Sequence, residues 1–327
     1  MSKTKLDEIN RNIYDIKNQD DYDFKIKKGL TPEIIEEISK QKDDPKWMRE
    51  FRMKALEVYN SLELPTWGPD LSELDMNEIA TYVKPKTNLN TSWEDVPEDI
   101  KNTFDKLGIP EAEKESLAGV GAQYDSEVVY HSMKQELIKQ GVIYTDMESA
   151  IKKYPDLVKE HFMKCVPVHD HKFVALHGAV WSGGSFVYVP KGVKVDIPLQ
   201  SYFRLNSPES GQFEHTLIIV DEGASLHFIE GCSAPKYNKV NLHAGCVELY
   251  VKDNAYLRYS TIENWSKNML NLNTKKAIVG KNAKMDWVSR FLWLENLDAI
   301  PNEYFKWRRS KIRIYWNFLC RRRTKPR

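Results

Sequence analysis

The sequence predicts an α+β protein: a mostly helical N-terminal domain over residues 1–165, followed by a β-helix core over residues 166–289. Two observations carry this expectation. Apolar residues fall at helical spacing behind cap-and-proline starts in the first half. In the second half a strand–turn–strand unit recurs at nearly constant intervals. A third observation sets apart residues 290–327, which hold eleven Lys/Arg against three Asp/Glu, three of the nine tryptophans and no glycine. They read as a basic tail foreign to the domain before it.

Thr31-Pro32-Glu33 has a capping hydroxyl and a proline at the first helical position, and Ile34, Ile35 and Ile38 supply the apolar stripe. Asp44-Pro45 repeats the device. Behind it Trp47, Met48, Phe51, Ala55, Val58, Tyr59 and Leu62 keep the helical period until Leu64-Pro65-Thr66-Trp67-Gly68-Pro69 stops it. A looser stretch follows over 82–97. Short helices are expected over 98–107 and 126–140, over 149–154 with a cap at Thr145-Asp146-Met147-Glu148, and over 155–163.

From Val166 the chain turns rich in Val, Ile, Tyr and Phe. Residues 189–195 (VPKGVKV), 220–226 (VDEGASL), 251–257 (VKDNAYL) and 279–285 (VGKNAKM) share one frame, with anchors at Val193, Ala224, Ala255 and Ala283. One such unit cannot bury its apolar face alone, so stacked copies are the natural solution. A β-sandwich with a chance repeat is the competing fold. The hexapeptide rhythm of left-handed acyltransferase helices is absent.

The net charge of +1 conceals a tail of +8 and a preceding chain of −7. A basic aromatic tail can contact phosphates and stack on bases, but nucleic acid is not the expected partner. No run of apolar residues suffices for a membrane span, and the N-terminus has no secretory apolar core. Four irregularly spaced cysteines form neither a disulfide framework nor a zinc knuckle, so a reducing, cytoplasmic location is expected.

Cys232, flanked by Gly231 and Pro235, sits where a strand turns into a loop, a context suited to an accessible, reactive thiol. Cys246 alternates within a strand and reads as core, while Cys165 fits either role. His169, His171 and His177 could form a metal site with a nearby acid. Arg204, Asn206, Trp265 and Lys275 fall on neighbouring turns of the expected solenoid and could line one passage with Cys232. Nucleotide, dinucleotide and zincin signatures are missing.

Three strings carry a resemblance: GVGAQYDSE at 119–127, VWSGGSFVYVPKGV at 180–193 and EGCSAP at 230–235. They closely resemble the SufB family, scaffold subunits of the SUF iron–sulfur cluster assembly system, over about residues 44–289. The resemblance implies a right-handed parallel β-helix and the partners SufC, an ATPase, and SufD. It also implies a cysteine desulfurase with its sulfur carrier, which delivers persulfide sulfur to the family cysteine matching Cys232. Residues matching Arg204, Asn206, Trp265 and Lys275 would pass that sulfur along. Glu263 stands where the family often has glutamine, and His171 and His177 stand where asparagine is expected. The cargo would be a transient [4Fe-4S] cluster, with reduced flavin in the intact complex. A Lys275 ammonium beside Cys232 would lower the thiol's pKa.

The resemblance breaks at Arg290. A family member would continue through more β-helix into a helical domain that docks SufC and supplies the metal ligands. A back-translation of residues 290–303, read one base later, gives GFFGSKTSMLYPT, which resembles that continuation. The expectation is a frameshifted tail, impaired SufC and SufD binding, and an unpaired strand edge near residues 287–289 unless the tail covers it. The protein reads as a scaffold and not an enzyme. The alternative is a stand-alone β-helix enzyme using Cys232 or the histidine cluster.

Overall fold

The computed structural model describes residues 15–19, 21–66, 71–72, 74–107, 116–237, 240–265, 269–292, 305–307 and 311–319. A short strand, β1 (Tyr22–Lys25), opens it, followed by α1 (Pro32–Gln41) and α2 (Lys46–Ser61). Thr31 caps α1 as expected, its hydroxyl accepting from Ile34 N at 3.4 Å. Asp44 does not cap α2. Its carboxylate is drawn instead to the Arg52 guanidinium at 2.7 Å, nearly two turns into the helix.

β2 (Val83–Pro85) pairs with β1, and α3 (Glu98–Lys106) matches the helix expected there. The helix expected over 126–140 is instead a hairpin, β3 (Gly119–Tyr124) and β4 (Glu127–Met133), and a short α4 (Gln135–Lys139). Asp125 takes a positive φ of 51° in the tight turn, and Val128, Val129 and Tyr130 prefer the extended backbone beyond it. β5 (Ile143–Asp146) leads through an Asp146 cap into α5 (Met147–Lys153), then α6 (Pro155–His161). α7 (Lys172–Val180) was not foreseen. Phe173–Val180 are all buried, and a helix without a polar face leaves no period to read.

The β-helix then runs as β6 (Ser185–Val189), β7 (Leu199–Arg204), β8 (Gly211–Gln212), β9 (His215–Val220), β10 (Ser225–Ser233), β11 (Asn241–His243) and β12 (Cys246–Val251). It continues as β13 (Tyr256–Asn264), β14 (Met269–Asn271), β15 (Thr274–Val279) and β16 (Lys284–Leu292), and two strands follow it, β17 (Phe305–Trp307) and β18 (Lys311–Leu319). The coils stack into three parallel sheets: β3, β7, β10, β13, β16 and β18 in the first, β8, β11 and β14 in the second, β6, β9, β12, β15 and β17 in the third. At the other end antiparallel strands close two of the sheets, β4 beyond β3 and β5 beside β6. These closing strands precede residue 166, so the β-structure begins earlier in the chain than the sequence suggests.

The repeat read from sequence is the register of the stack. Ser225 pairs with Tyr256 and Tyr256 with Lys284, so Ala224, Ala255 and Ala283 lie directly over one another, all buried. Before each anchor the backbone turns through a positive φ, at Gly192 (76°), Gly223 (67°), Asn254 (59°) and Asn282 (57°). Glycine and asparagine are the residues that adopt this conformation most readily. The tail occupies the next places: Ala277 pairs with Phe305 and Trp287 with Ile314. The edge expected at residues 287–289 is therefore covered, since backbone pairing needs no particular side chain.

Candidate functional site

Along β10 the side chains of Leu226, Phe228, Glu230 and Cys232 enter the interior by the strand's two-residue alternation. The first two join a large aliphatic and aromatic core with Val187, Leu249 and Leu257. Beyond them the interior turns polar. Parallel register stacks Ser201, Glu230, Thr261 and Ser289 into one buried column, and Phe203, Cys232 and Glu263 into the next. Cys232 shares a small cluster with Phe203, Leu205, Ala234, Trp265 and Met269.

Three buried carboxylates organise this chamber. Glu263 accepts from Trp265 Nε1 at 3.0 Å, Asn271 Nδ2 at 2.6 Å and Lys275 Nζ at 2.9 Å. Glu230 accepts from Thr216 Oγ1 at 2.9 Å and Tyr259 OH at 2.7 Å, with Lys275 Nζ at 3.5 Å. Glu214 faces His243 Nε2, whose other nitrogen bonds Asn271 Oδ1 at 2.9 Å.

Burial and the facing carboxylates Glu230, Glu214 and Glu263 push the Cys232 thiol well above its ordinary pKa, and Lys275 offsets them only in part. The expectation of a thiolate stabilised by Lys275 is therefore overturned: the ammonium is already held by Glu263 and Glu230, and the resting group is a thiol. Nor is it accessible, with 1% of its surface exposed. Burial favours a neutral Glu263, but Lys275 and His243 hold its carboxyl below the usual range. Burial raises Glu230. His243 is raised against the opposing pull of burial, mainly by Glu214.

Cys232, Glu263, Trp265 and Lys275 thus converge. Arg204 and Asn206 do not join them. Arg204 follows Phe203 and so projects from the opposite face of β7, where it donates to Ser233 Oγ at 2.9 Å and Ile16 O at 2.7 Å. Asn206 Oδ1 accepts from Asn18 N, and its own N–H donates to Asp125 Oδ1. The histidine cluster also disperses. His169 is exposed, His171 precedes α7 and meets Thr274 Oγ1 at 3.0 Å, and His177 lies on the other side of that helix. The six-residue gap between the last two turns them away from each other.

His177 instead donates from Nδ1 to Ala244 O at 2.9 Å and meets His215 Nδ1 through Nε2, also at 2.9 Å. Burial keeps both rings neutral, His177 well below its ordinary value and His215 at about 3. Cys246, core as expected, completes a possible metal-ligating trio with them; Glu214, Cys232 and His243 form a second among the described residues. The sequence reading missed Glu214, Glu230, His243 and Asn271. Glu230 was within reach of it, because two residues before Cys232 on a strand is the same face. The others needed the coil register of β11 with β8 and with β14.

Comparison with known proteins identifies the family. Residues 34–201 match the SufBD protein N-terminal region, and residues 203–311 match the SufBD core domain of SUF-system FeS cluster assembly. The chain is 53% identical over 284 residues to the iron-sulfur cluster assembly protein SufB of Bacillus subtilis, covering 87% of this chain and 61% of that one. It is 54% identical over 289 residues to a SufBD family protein of Staphylococcus epidermidis (88% and 62%), and 52% over 279 residues to one of Staphylococcus aureus (85% and 60%). The chain spans about three fifths of the length of these relatives. On two matched domains and half-identical sequence, the chain belongs to the SufBD family of iron–sulfur cluster assembly proteins.

Proposed function

We propose that this chain acts as a SufB-type scaffold, with Cys232 as the residue that takes up sulfane sulfur for cluster building. The observation that carries the reading is the convergence of Cys232 with Glu263, Trp265 and Lys275 in one polar chamber inside an otherwise apolar β-helix. In the transfer, Cys232 sulfur attacks the outer sulfur of a donor persulfide. A new S–S bond forms on Cys232, the donor's S–S bond breaks, and the donor leaves as a thiol carrying the proton that Cys232 gives up. Glu230 and Glu214 are the carboxylates placed to relay that proton. The persulfide's own hydrogen stays with the transferred sulfur.

The donor is a cysteine desulfurase with its carrier, and the cargo is a transient cluster of the [4Fe-4S] type, with SufC, SufD and reduced flavin acting in the intact complex. Arg204, at the end of β7, and Asn206, just beyond it, serve this reading by tying that strand end to Ser233, Ile16, Asn18 and Asp125, one strand away from the thiol. We further propose that a one-base frame change falls within residues 290–327, the stretch in which the family match, running to residue 311, comes to its end. Sequencing across codon 290 tests this, and an intact frame with unrelated codons refutes it. For the central reading, incubation with a persulfide donor followed by mass analysis is expected to add one sulfur at Cys232 and none in Cys232→Ser. Equal loading of both chains would overturn it.

A further inference from the structure

Glu214, Cys232 and His243 come from three different strand ends, yet their ligand atoms all lie within 4.8 Å of one another, every one buried. Glu214 is 2% exposed, and its Oε2 is a fully buried oxygen that meets no donor. A carboxylate oxygen left so in a protein interior is costly unless something occupies it. The ring orientation of His243 is also fixed. Asn271 Nδ2 is committed to Glu263, which turns its Oδ1 to His243 Nδ1. That leaves His243 Nε2 as the nitrogen aimed at Glu214 and Cys232. With Nδ1 held by the Asn271 side chain, Nε2 faces Glu214, and an ion binding there would take the place of the proton now shared with Glu214 Oε1; a second ring nitrogen held by a hydrogen bond is the usual setting of a metal-bound histidine.

Gly245 shapes the same place. Its Cβ would stand 2.4 Å from Glu214 Oε1, so only glycine lets that side chain fold inward over the coil. The charge balance agrees with a cation. Glu214, Glu230 and Glu263 share one interior with Lys275 and His243, and the two cationic groups already hold Glu263, Glu230 and one oxygen of Glu214.

We infer that Glu214 Oε2, Cys232 Sγ and His243 Nε2 form a binding site for a single divalent first-row transition ion, such as Fe(II) or Zn(II), inside the β-helix. The thiolate, imidazole and carboxylate set suits such borderline ions and not magnesium or calcium. Tetrahedral ligation places donors about 3.5 Å apart, so the three side chains need only small rotations to close on an ion. An ion bound there would sit on the sulfur acceptor itself, and that last link rests on the function proposed above, whereas the site does not.

The test is anaerobic titration of the reduced, full-length chain with Co(II). One equivalent is expected to bind with a sulfur-to-cobalt charge-transfer band. Cys232→Ser should abolish the band, Glu214→Gln and His243→Ala should each weaken binding by about tenfold or more, and Cys246→Ser should leave it intact. A band lost in Cys246→Ser but kept in Cys232→Ser would move the ion to the His177 cluster and overturn the assignment, as would no band at all. X-ray absorption on the unsubstituted Zn(II)-loaded chain needs no variant to fold: one sulfur and one imidazole are expected, and two imidazoles refute the site. Persulfide loading separates the two ideas. A chain that loads sulfur but binds no ion defeats this inference alone, and one that binds the ion but loads no sulfur defeats the proposed function alone.

Discussion

At the scale of single residues, the buried charged groups are where the sequence is least legible and the structure most specific. Arg52 reads in sequence as a polar position on an amphipathic helix. In the fold it is fully buried, paired with Asp44 at 2.7 Å, donating to the carbonyls of Ala179 and Trp181 and stacked on the Trp181 ring. Arg52→Ala leaves a buried carboxylate without its cation, and a loss of about 3–5 kcal/mol in denaturant unfolding is expected. Glu248 gives a pH-dependent counterpart. Three backbone N–H groups, of Met163, Cys165 and Val166, hold it inside, and burial still pushes its carboxyl up to about 7. The folded chain keeps this proton where the unfolded chain has lost it. Its contribution is therefore full at acid pH and disappears as pH rises through about 7. Relative to Glu248→Gln, the unsubstituted chain is expected to lose roughly 3 kcal/mol of stability between the unfolded carboxyl's pKa and neutrality. Parallel pH profiles of the two chains would refute this.

At the scale of elements, the repeat was legible because its signal is local: an apolar strand, a turn and a small anchor recur within a few residues each time. The structure adds why glycine and asparagine alternate there. The position before the anchor turns left-handed in all four copies of the repeat, at Gly192, Gly223, Asn254 and Asn282. A Cβ on Gly223 would meet nothing within 4 Å, so Gly223→Ala tests backbone strain alone. A cost of about 1–2 kcal/mol is expected, and Gly223→Asn should recover most of it; equal costs for the two would point to packing instead. The elements the sequence misassigned share a different cause. The β3–β4 hairpin hides in a stretch of mixed polarity because one of its strands, β3, pairs with β7, far along the chain. Helix α7 hides because neighbours bury it on all sides. Both are set by tertiary contacts that no local window contains. The grouping of Cys232 with Lys275 was legible from family-like motifs, but its separation from Arg204 depends on strand parity, which one residue of slippage would reverse.

At the scale of the whole molecule, the chain is a stack whose coils pair mainly with their neighbours, so stability depends on how each end is finished. One end is closed by the antiparallel strands β4 and β5. At the other, β18 lies along the full length of β16, and Arg313 reaches Asp286 at 2.8 Å. Removing residues 290–327 would bare the β16 backbone from Lys284 onward, a parallel edge backed by the buried Met285 and Trp287. Light scattering of the shortened chain is expected to show concentration-dependent association that the full chain lacks. A monodisperse shortened chain would show that β18 contributes nothing to covering that edge.

The superposed alanines make length an adjustable property. Because Tyr256 sits directly above Lys284, residues 256–283 constitute one interchangeable storey, and a second copy inserted after Ala283 would meet matching partners above and below. The cylinder would grow by a single strand spacing, about 4.8 Å, and its hollow would gain another glutamate, tryptophan and lysine in sequence. The reach of any internal corridor is thus counted in storeys and can be altered one whole floor at a time.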